Sequence, residues 1–228
     1  MKSKDSALDL LINEFIEEIT SSSLNDIKIV NLINRAGFNR NTFYYYFANK
    51  FDICAYLFMK DLDQELREIV PGKNLVIYKS ENFGELAYYT FIEAGAHMID
   101  SGPFFNALLS VLNKRYEVYK KVFSPTNYTL ISYFDKLWKK EIEHDLKYIL
   151  GNRRVHEDVW TTLVQCRCKF INDIIQVSLF NNIDLASLMN NPSMDFIWNS
   201  IYVDLYRMLK SSNYNILDST LKHPHKRN

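Results

Sequence analysis

The sequence predicts an all-α protein, with a short N-terminal three-helix unit ahead of a larger helical bundle. Three observations lead there. Gly and Pro are scarce, at 6 and 5 residues in 228, which argues against a turn-rich β sandwich. Long stretches place apolar residues three and four apart, the spacing of one helix face. Compact punctuation separates these stretches, at Thr20–Ser23, Ala36-Gly37, Pro71-Gly72, Ser101-Gly102-Pro103, Ser124-Pro125, Gly151-Asn152 and Asn190-Asn191-Pro192.

Each element has a local reason. Residues 6–19 set Ala7, Leu8, Leu11, Ile12, Phe15 and Ile19 against Asp9, Asn13, Glu14 and Glu17, an amphipathic helix. The second helix carries Ile27, Ile29, Val30, Leu32 and Ile33 and ends at Gly37, a residue suited to the left-handed position after a helix. Asn39 is placed to cap a short third helix that runs to Phe47. Asn49, with Asp52 three residues on, is placed to start a fourth, from about Lys50 to Ile69. Further helices are expected near 82–100, 103–122, 126–150, 153–182 and 193–210, with Leu75–Tyr78 read as a loop. The polar segment Lys222–Arg227 is expected to fray. The domains expected are residues 1–50 and 51–228.

Composition narrows the function. Hydrophobic residues make up 47% and charged residues 24%, an ordinary globular balance. Lys+Arg and Asp+Glu are both 27, so a uniformly basic polyanion binder is not expected. The 3 cysteines, Cys54, Cys166 and Cys168, do not make a disulfide framework. Cys166 and Cys168 sit two apart, so on a helix they face different sides, and structural thiols are the better reading than a metal pair. Asp9, Asn13 and Glu14 interrupt any signal-like apolar run, and no stretch is long enough to span a bilayer, so a cytoplasmic location without membrane contact is expected. No phosphate loop, nucleophile elbow, paired carboxylates or HExxH-type spacing stands out. Neither catalysis nor a cofactor or metal is expected.

The informative stretch is Ile27–Asp52. A helix, a tight turn at Gly37 and a short second helix form a helix-turn-helix, whose second helix enters the DNA major groove. Leu32, Ala36, Phe38, Phe43 and Phe47 have the spacing to pack these helices on the first. Arg40, Asn41, Thr42, Tyr44 and Tyr45 remain on or near the outer face, as groups suited to phosphates and base edges.

The run Ile27-Lys28-Ile29, Leu32, Ala36-Gly37-Phe38-Asn39, Thr42-Phe43-Tyr44-Tyr45-Tyr46-Phe47, Lys50 and Ile53 resembles the N-terminal domain of the TetR/AcrR family of bacterial transcriptional regulators. That family carries a pattern close to A-G-V-S-x-x-T-F/L-Y-x-H/Y-F-x-x-K. The likeness covers about the first quarter of the chain; the rest matches only in being helical and of suitable length. The resemblance implies roles by position. Asn39 caps the recognition helix and offers a polar contact at its positive end. Arg40 and Asn41 reach bases or phosphates, and Thr42 holds a usual contact position. Tyr44 offers its hydroxyl to a phosphate, Tyr45 faces the groove where its ring can meet a thymine methyl, and Tyr46 is half packed and half turned to the backbone. Lys50 shares a phosphate with the start of the fourth helix. Lys28 departs from the family's capping Thr, leaving it able to neutralise a phosphate but not to cap. Ile33 replaces a usual small residue.

The resemblance further implies a homodimer on a near-palindromic double-stranded DNA operator, most often a repressor, released by a small effector in the C-terminal bundle. The last two long helices, here about 153–182 and 193–210, would pair across a two-fold axis. Tyr88, Phe91, His97, Phe104 and Trp138 are the candidate pocket walls, which favours an apolar or aromatic effector. One caution is electrostatic. Residues 1–50 hold six cations (Lys2, Lys4, Lys28, Arg35, Arg40, Lys50) against six anions (Asp5, Asp9, Glu14, Glu17, Glu18, Asp26). Few ionic contacts per protomer are therefore expected. The rival expectation is a protein-interaction module or coactivator on the same scaffold, whose main partner is another protein.

Overall fold

A computed structural model describes residues 4–210 apart from 83, 154, 182 and 190. The segment Lys222–Arg227 lies outside the described residues. The protein is mainly helical, as the sequence predicts. Helices α1 (Lys4–Ser21), α2 (Ile29–Arg35) and α3 (Arg40–Tyr46) form the N-terminal head. Helix α4 (Lys50–Ile69) runs from the head into the body, which is completed by α5 (Gly102–Lys114), α6 (Tyr116–Val122), α7 (Tyr128–Leu150), α8 (Glu157–Phe180), α9 (Leu185–Met189) and α10 (Met194–Lys210). No helix among the described residues is long and apolar enough to cross a membrane.

One expectation fails. In place of a loop at Leu75–Tyr78 and a helix over 82–100, the chain forms two small antiparallel hairpins. Strands β1 (Leu75–Ser80) and β2 (Gly84–Thr90) pair from Leu75↔Thr90 to Ser80↔Gly84, with a bulge between Val76 and Ile77. Strands β3 (Glu93–Gly95) and β4 (Met98–Ile99) make the second. The physical reason is burial. Leu86 to Thr90 are buried without a break, so this strand has neither the alternation of a half-exposed strand nor a clear helical stripe. Aromatic and β-branched residues fit that environment, and Gly84 takes the positive φ of +82° that the first hairpin needs. A side chain of α4 then fixes β2, because the Ala87 amide donates to Asp63 Oδ1 at 2.5 Å.

Two boundaries also differ. The helix expected over 103–122 breaks at Arg115 (φ −128°, ψ 45°), whose Nε meets Asp61 Oδ2 of α4 at 2.6 Å. No Gly or Pro marks that break. Helix α9 was not foreseen; Asp184 Oδ1 caps it by accepting from the amides of Ala186 and Ser187.

The core is aromatic. Phe58 of α4 meets Tyr119, Phe123 and Phe134 at ring distances of 5.4, 5.0 and 4.9 Å, all edge-on. Trp138 stacks on Phe134 at 5.8 Å, and Phe105 on Trp198 at 4.8 Å. Such pairs add about 0.5–1.5 kcal/mol each beyond the area they bury.

The turn after α7 is tight for a reason that can be tested. Gly151 has φ +57°, and a Cβ there would lie 2.7 Å from Cε1 of His97, itself at φ 61°. The His97 ring is held there by Nδ1 donating to the Tyr148 carbonyl at 2.8 Å. Gly151→Ala is expected to cost about 1–3 kcal/mol, seen as a fall in thermal midpoint. In a His97→Ala background the ring contact is gone, so only the backbone share of that loss should persist.

Candidate nucleic-acid interface

The head is built on α1, whose Leu11, Phe15 and Ile19 are fully buried. Leu32, Phe43 and Phe47 are buried against the same core, and Ala36 and Phe38 pack on it partly exposed. The turn between α2 and α3 is specified by hydrogen bonds. Gly37 sits at φ +70°; its amide donates to Asn34 O at 3.2 Å and the Phe38 amide to Ile33 O at 3.0 Å. This is the Schellman arrangement, which uses two of the carbonyls a helix end leaves unpaired.

Asn39 starts α3. Its Oδ1 accepts from the Thr42 amide at 3.0 Å and from the Thr42 hydroxyl at 3.2 Å. Thr42 is thus turned toward the cap. Along α3 the exposed residues are Arg40, Asn41, Tyr44 and Tyr45, spaced i, i+1, i+4, i+5 on one side, while Phe43 and Tyr46 face inward. Tyr44 is 54% exposed and Tyr45 43%. Neighbouring rings hold both: Tyr44 stands edge-on to Phe43 at 5.5 Å and Tyr45 edge-on to Tyr46 at 4.9 Å. Tyr46, expected to be half exposed, is only 7% exposed.

The cations sort into two groups. Arg35 binds back to α1, through Glu14 at 3.1 Å and through Glu18. Lys60 pairs with Asp9 at 2.8 Å. Three acids of α1 are therefore already paired. Lys28 and Arg40, both exposed, have no carboxylate partner among the described residues. Lys28 occupies the N-cap of α2 without a side-chain cap bond, as lysine must. From Ile27 to Phe51 the chain contains Lys28, Arg35, Arg40 and Lys50 and no Asp or Glu. That stretch of sequence is therefore net positive although residues 1–50 are neutral as a whole, and Arg35 is paired with Glu14 and Glu18.

Lys50 has partners within the protein. Its Nζ donates to the carbonyls of Leu24 and Asn25 at 2.8 and 3.0 Å, tying α4 to the loop between α1 and α2. Asn49 Oδ1 caps α4 through the amides of Phe51 and Asp52, and Asp52 accepts from the Ala48 amide at 2.8 Å. A contact that no sequence pattern signals joins head to body: Lys121 of α6 donates to Ile19 O and Thr20 O at 2.8 and 2.7 Å. It satisfies the last carbonyls of α1 from more than a hundred residues away.

The five candidate pocket residues fall in two places. Tyr88, Phe104 and Trp138 are buried and pack on one another, with Trp138 at 5.5 Å from Phe104 and 6.4 Å from Tyr88. Phe91 and His97 lie further out, beside Tyr148, at ring distances of 5.2 and 6.1 Å. None of the five lines the open trough of about 720 Å³ between α7 and α8, whose walls include Tyr128, Ile131, Lys136, Trp160, Val164 and Cys168.

No protein-family model and no curated protein matches the chain. Among solved structures, the dihydroxyacetone kinase operon activator DhaS aligns over 89% of this chain and 95% of its own, at 16% identity and a TM-score of 0.44. That likeness is too distant to carry any functional weight.

The cap offers a direct test. Asn39→Ala should remove about 1 kcal/mol of stability and speed amide exchange across Thr42–Tyr46, whereas Asn39→Asp or Asn39→Ser should keep both near wild type. Equal exchange in Asn39→Ala and wild type would mean that the cap does not hold α3.

Proposed function

We propose that the chain is a transcriptional regulator that binds double-stranded DNA as a homodimer, with α3 in the major groove. The observation that carries this reading is the single exposed face of α3. It presents a guanidinium, an amide and two ring-braced tyrosines, in a stretch of sequence, Ile27 to Phe51, that contains no Asp or Glu. Arg40 and Asn41 have the donors and acceptors to read base edges, and Tyr44 and Tyr45 can reach a phosphate or a thymine methyl. Asn39 and Thr42 position the helix, Tyr46 packs beneath it, and Lys28 and Lys50 contribute positive charge at its edges.

The dimer reading rests on α8 and α10, where Val159, Val177, Phe196 and Ile197 are exposed; Phe196 is 68% accessible. Isolated side chains of this kind gain by mutual burial across a two-fold axis. An effector that uses Tyr88, Phe104 and Trp138 has to separate rings that now pack together. Its binding would therefore be linked to a change in the body, and it shifts DNA affinity only through different affinities for the two forms.

The second reading, a protein-interaction module or coactivator, is favoured by one observation: Lys50 is spent on backbone carbonyls. Because Lys50→Ala would also loosen that loop, Arg40 and Tyr44 discriminate better. Binding of purified protein to its own upstream DNA and to scrambled DNA should be followed by anisotropy across a salt series. Three cations per protomer predict a log–log slope near −5 for the dimer, falling by roughly two in Arg40→Ala. Equal weak binding to both DNAs, unchanged in Arg40→Ala and Tyr44→Phe, would hand the case to the interaction module. Phe196→Asp should convert the dimer to monomer by light scattering, with operator affinity lost alongside; a dimer that survives this change pairs through some other face.

A further inference from the structure

A deeply buried polar cluster lies in the body, away from the head. Asp145 of α7 is 1% exposed. Its Oδ2 accepts from the hydroxyls of Tyr89 (β2) and Tyr202 (α10), each at 2.9 Å, while Oδ1 has no partner among the described residues. Arg167 of α8, 2% exposed, lies against three rings, Tyr202 at 4.6 Å, Phe170 at 4.9 Å and Phe105 at 5.1 Å. It donates to Trp198 O at 2.9 Å and Ser101 Oγ at 3.2 Å, and no carboxylate among the described residues lies within 4.0 Å of it. The Tyr202 ring thus stands between a buried acid and a buried guanidinium, bonded to one and lying under the other.

These groups also fasten α10. Besides Tyr202, the Trp198 carbonyl of α10 accepts from Ser101 Oγ at 2.8 Å, and Asn199 Oδ1 accepts from the Ser101 amide at 2.8 Å. The titratable groups facing Asp145 are Tyr89, Tyr202, Arg167 and, one turn earlier on α7, Glu141; α5 faces the cluster with Phe104 and Phe105.

We propose that Asp145 is a proton-operated latch for α10: protonated, it keeps the helix seated, and ionised, it favours release. The balance is one of hydration. A neutral carboxyl suits an apolar core, but a carboxylate needs donors on both oxygens, and here one oxygen is bare. Water reaches Oδ1 if α10 lifts, since α10 supplies Tyr202 and covers the cluster. Burial pushes the Asp145 carboxyl up to about 7, and the Tyr202 and Tyr89 hydroxyls and Arg167 oppose that rise. The sign follows. The seated form holds the proton more tightly than a hydrated Asp of ordinary value near 4. The contribution to seating is complete below about pH 4, is lost as pH rises toward 7, and stays constant above.

The test is native-state amide exchange of α10 on the full chain between pH 5 and 8, corrected for intrinsic rates. No DNA is needed, so the result stands apart from the regulator reading. The opening equilibrium of α10 should rise by up to about ten-fold per pH unit below pH 7 and level off above it. Asp145→Asn should flatten that profile. The amides of α2 and α3, whose local opening leaves Asp145 covered, should show no such dependence. Tyr202→Phe keeps the ring and removes one donor, so its inflection should move to higher pH; this variant decides the matter if Asp145→Asn does not fold. A flat wild-type profile, an identical slope in Asp145→Asn, or an unmoved inflection in Tyr202→Phe would overturn the latch.

Discussion

Three acids on one helix organise the molecule. Within two turns of α4, Asp61 takes Arg115 Nε and the Tyr119 hydroxyl, Asp63 takes the Ala87 amide, and Glu65 takes Ser110 and Lys114. The second half of α4 thereby fixes α5, α6 and the first hairpin, while its first turn closes the head through Lys50 and Asn49. Glu65 is buried and Asp61 and Asp63 half-buried, and their charge is tolerated there because each carboxylate has donors. Dispersion among rings such as Phe58, Phe123 and Phe134 fills the space, but it is not directional. The acids set the angles at which the surrounding elements meet α4.

The sequence disclosed most where a local rule decides the outcome. Gly37, Asn39 and Asn49 act within a few residues of themselves, and all three terminate or start helices as their chemistry dictates. The exposed row on α3 followed from spacing alone. Tyr46 is more deeply buried than its sequence position suggests, because nothing local shows how deep the core beneath it is. The segment from Leu86 to Thr90 was misread for a related reason. A strand buried on both faces loses its period of two, and Phe91, Ala94 and Met98 then imitate a helix stripe. Lys121 and the Tyr89–Asp145–Tyr202 cluster depend on partners 56 to 102 residues away in sequence, where no pattern reaches.

The head and body therefore differ in how they hold polar groups. In the head, Asp9, Glu14 and Glu18 of α1 are met by cations at exposed or partly exposed positions, where each pair contributes little and salt weakens it. In the body, tyrosine hydroxyls meet carboxyl groups in the core: Tyr88 at Glu141, and Tyr89 and Tyr202 at Asp145. Such bonds cost more to break, because removing one partner leaves the other without water. Mechanical firmness should accordingly be greater around α7 than around α2 and α3.

The ammonium of Lys121 has a consequence for modular engineering. It closes the final turn of α1 from within α6, so the first fifty residues do not carry all of their own terminal hydrogen bonds. A chimera that grafts this head onto a foreign scaffold would leave the carbonyls of Ile19 and Thr20 to solvent. The graft site is better chosen beyond α6, or the recipient must bring a cation to the same spot. Boundaries drawn by motif and boundaries drawn by hydrogen-bond closure do not coincide in this chain.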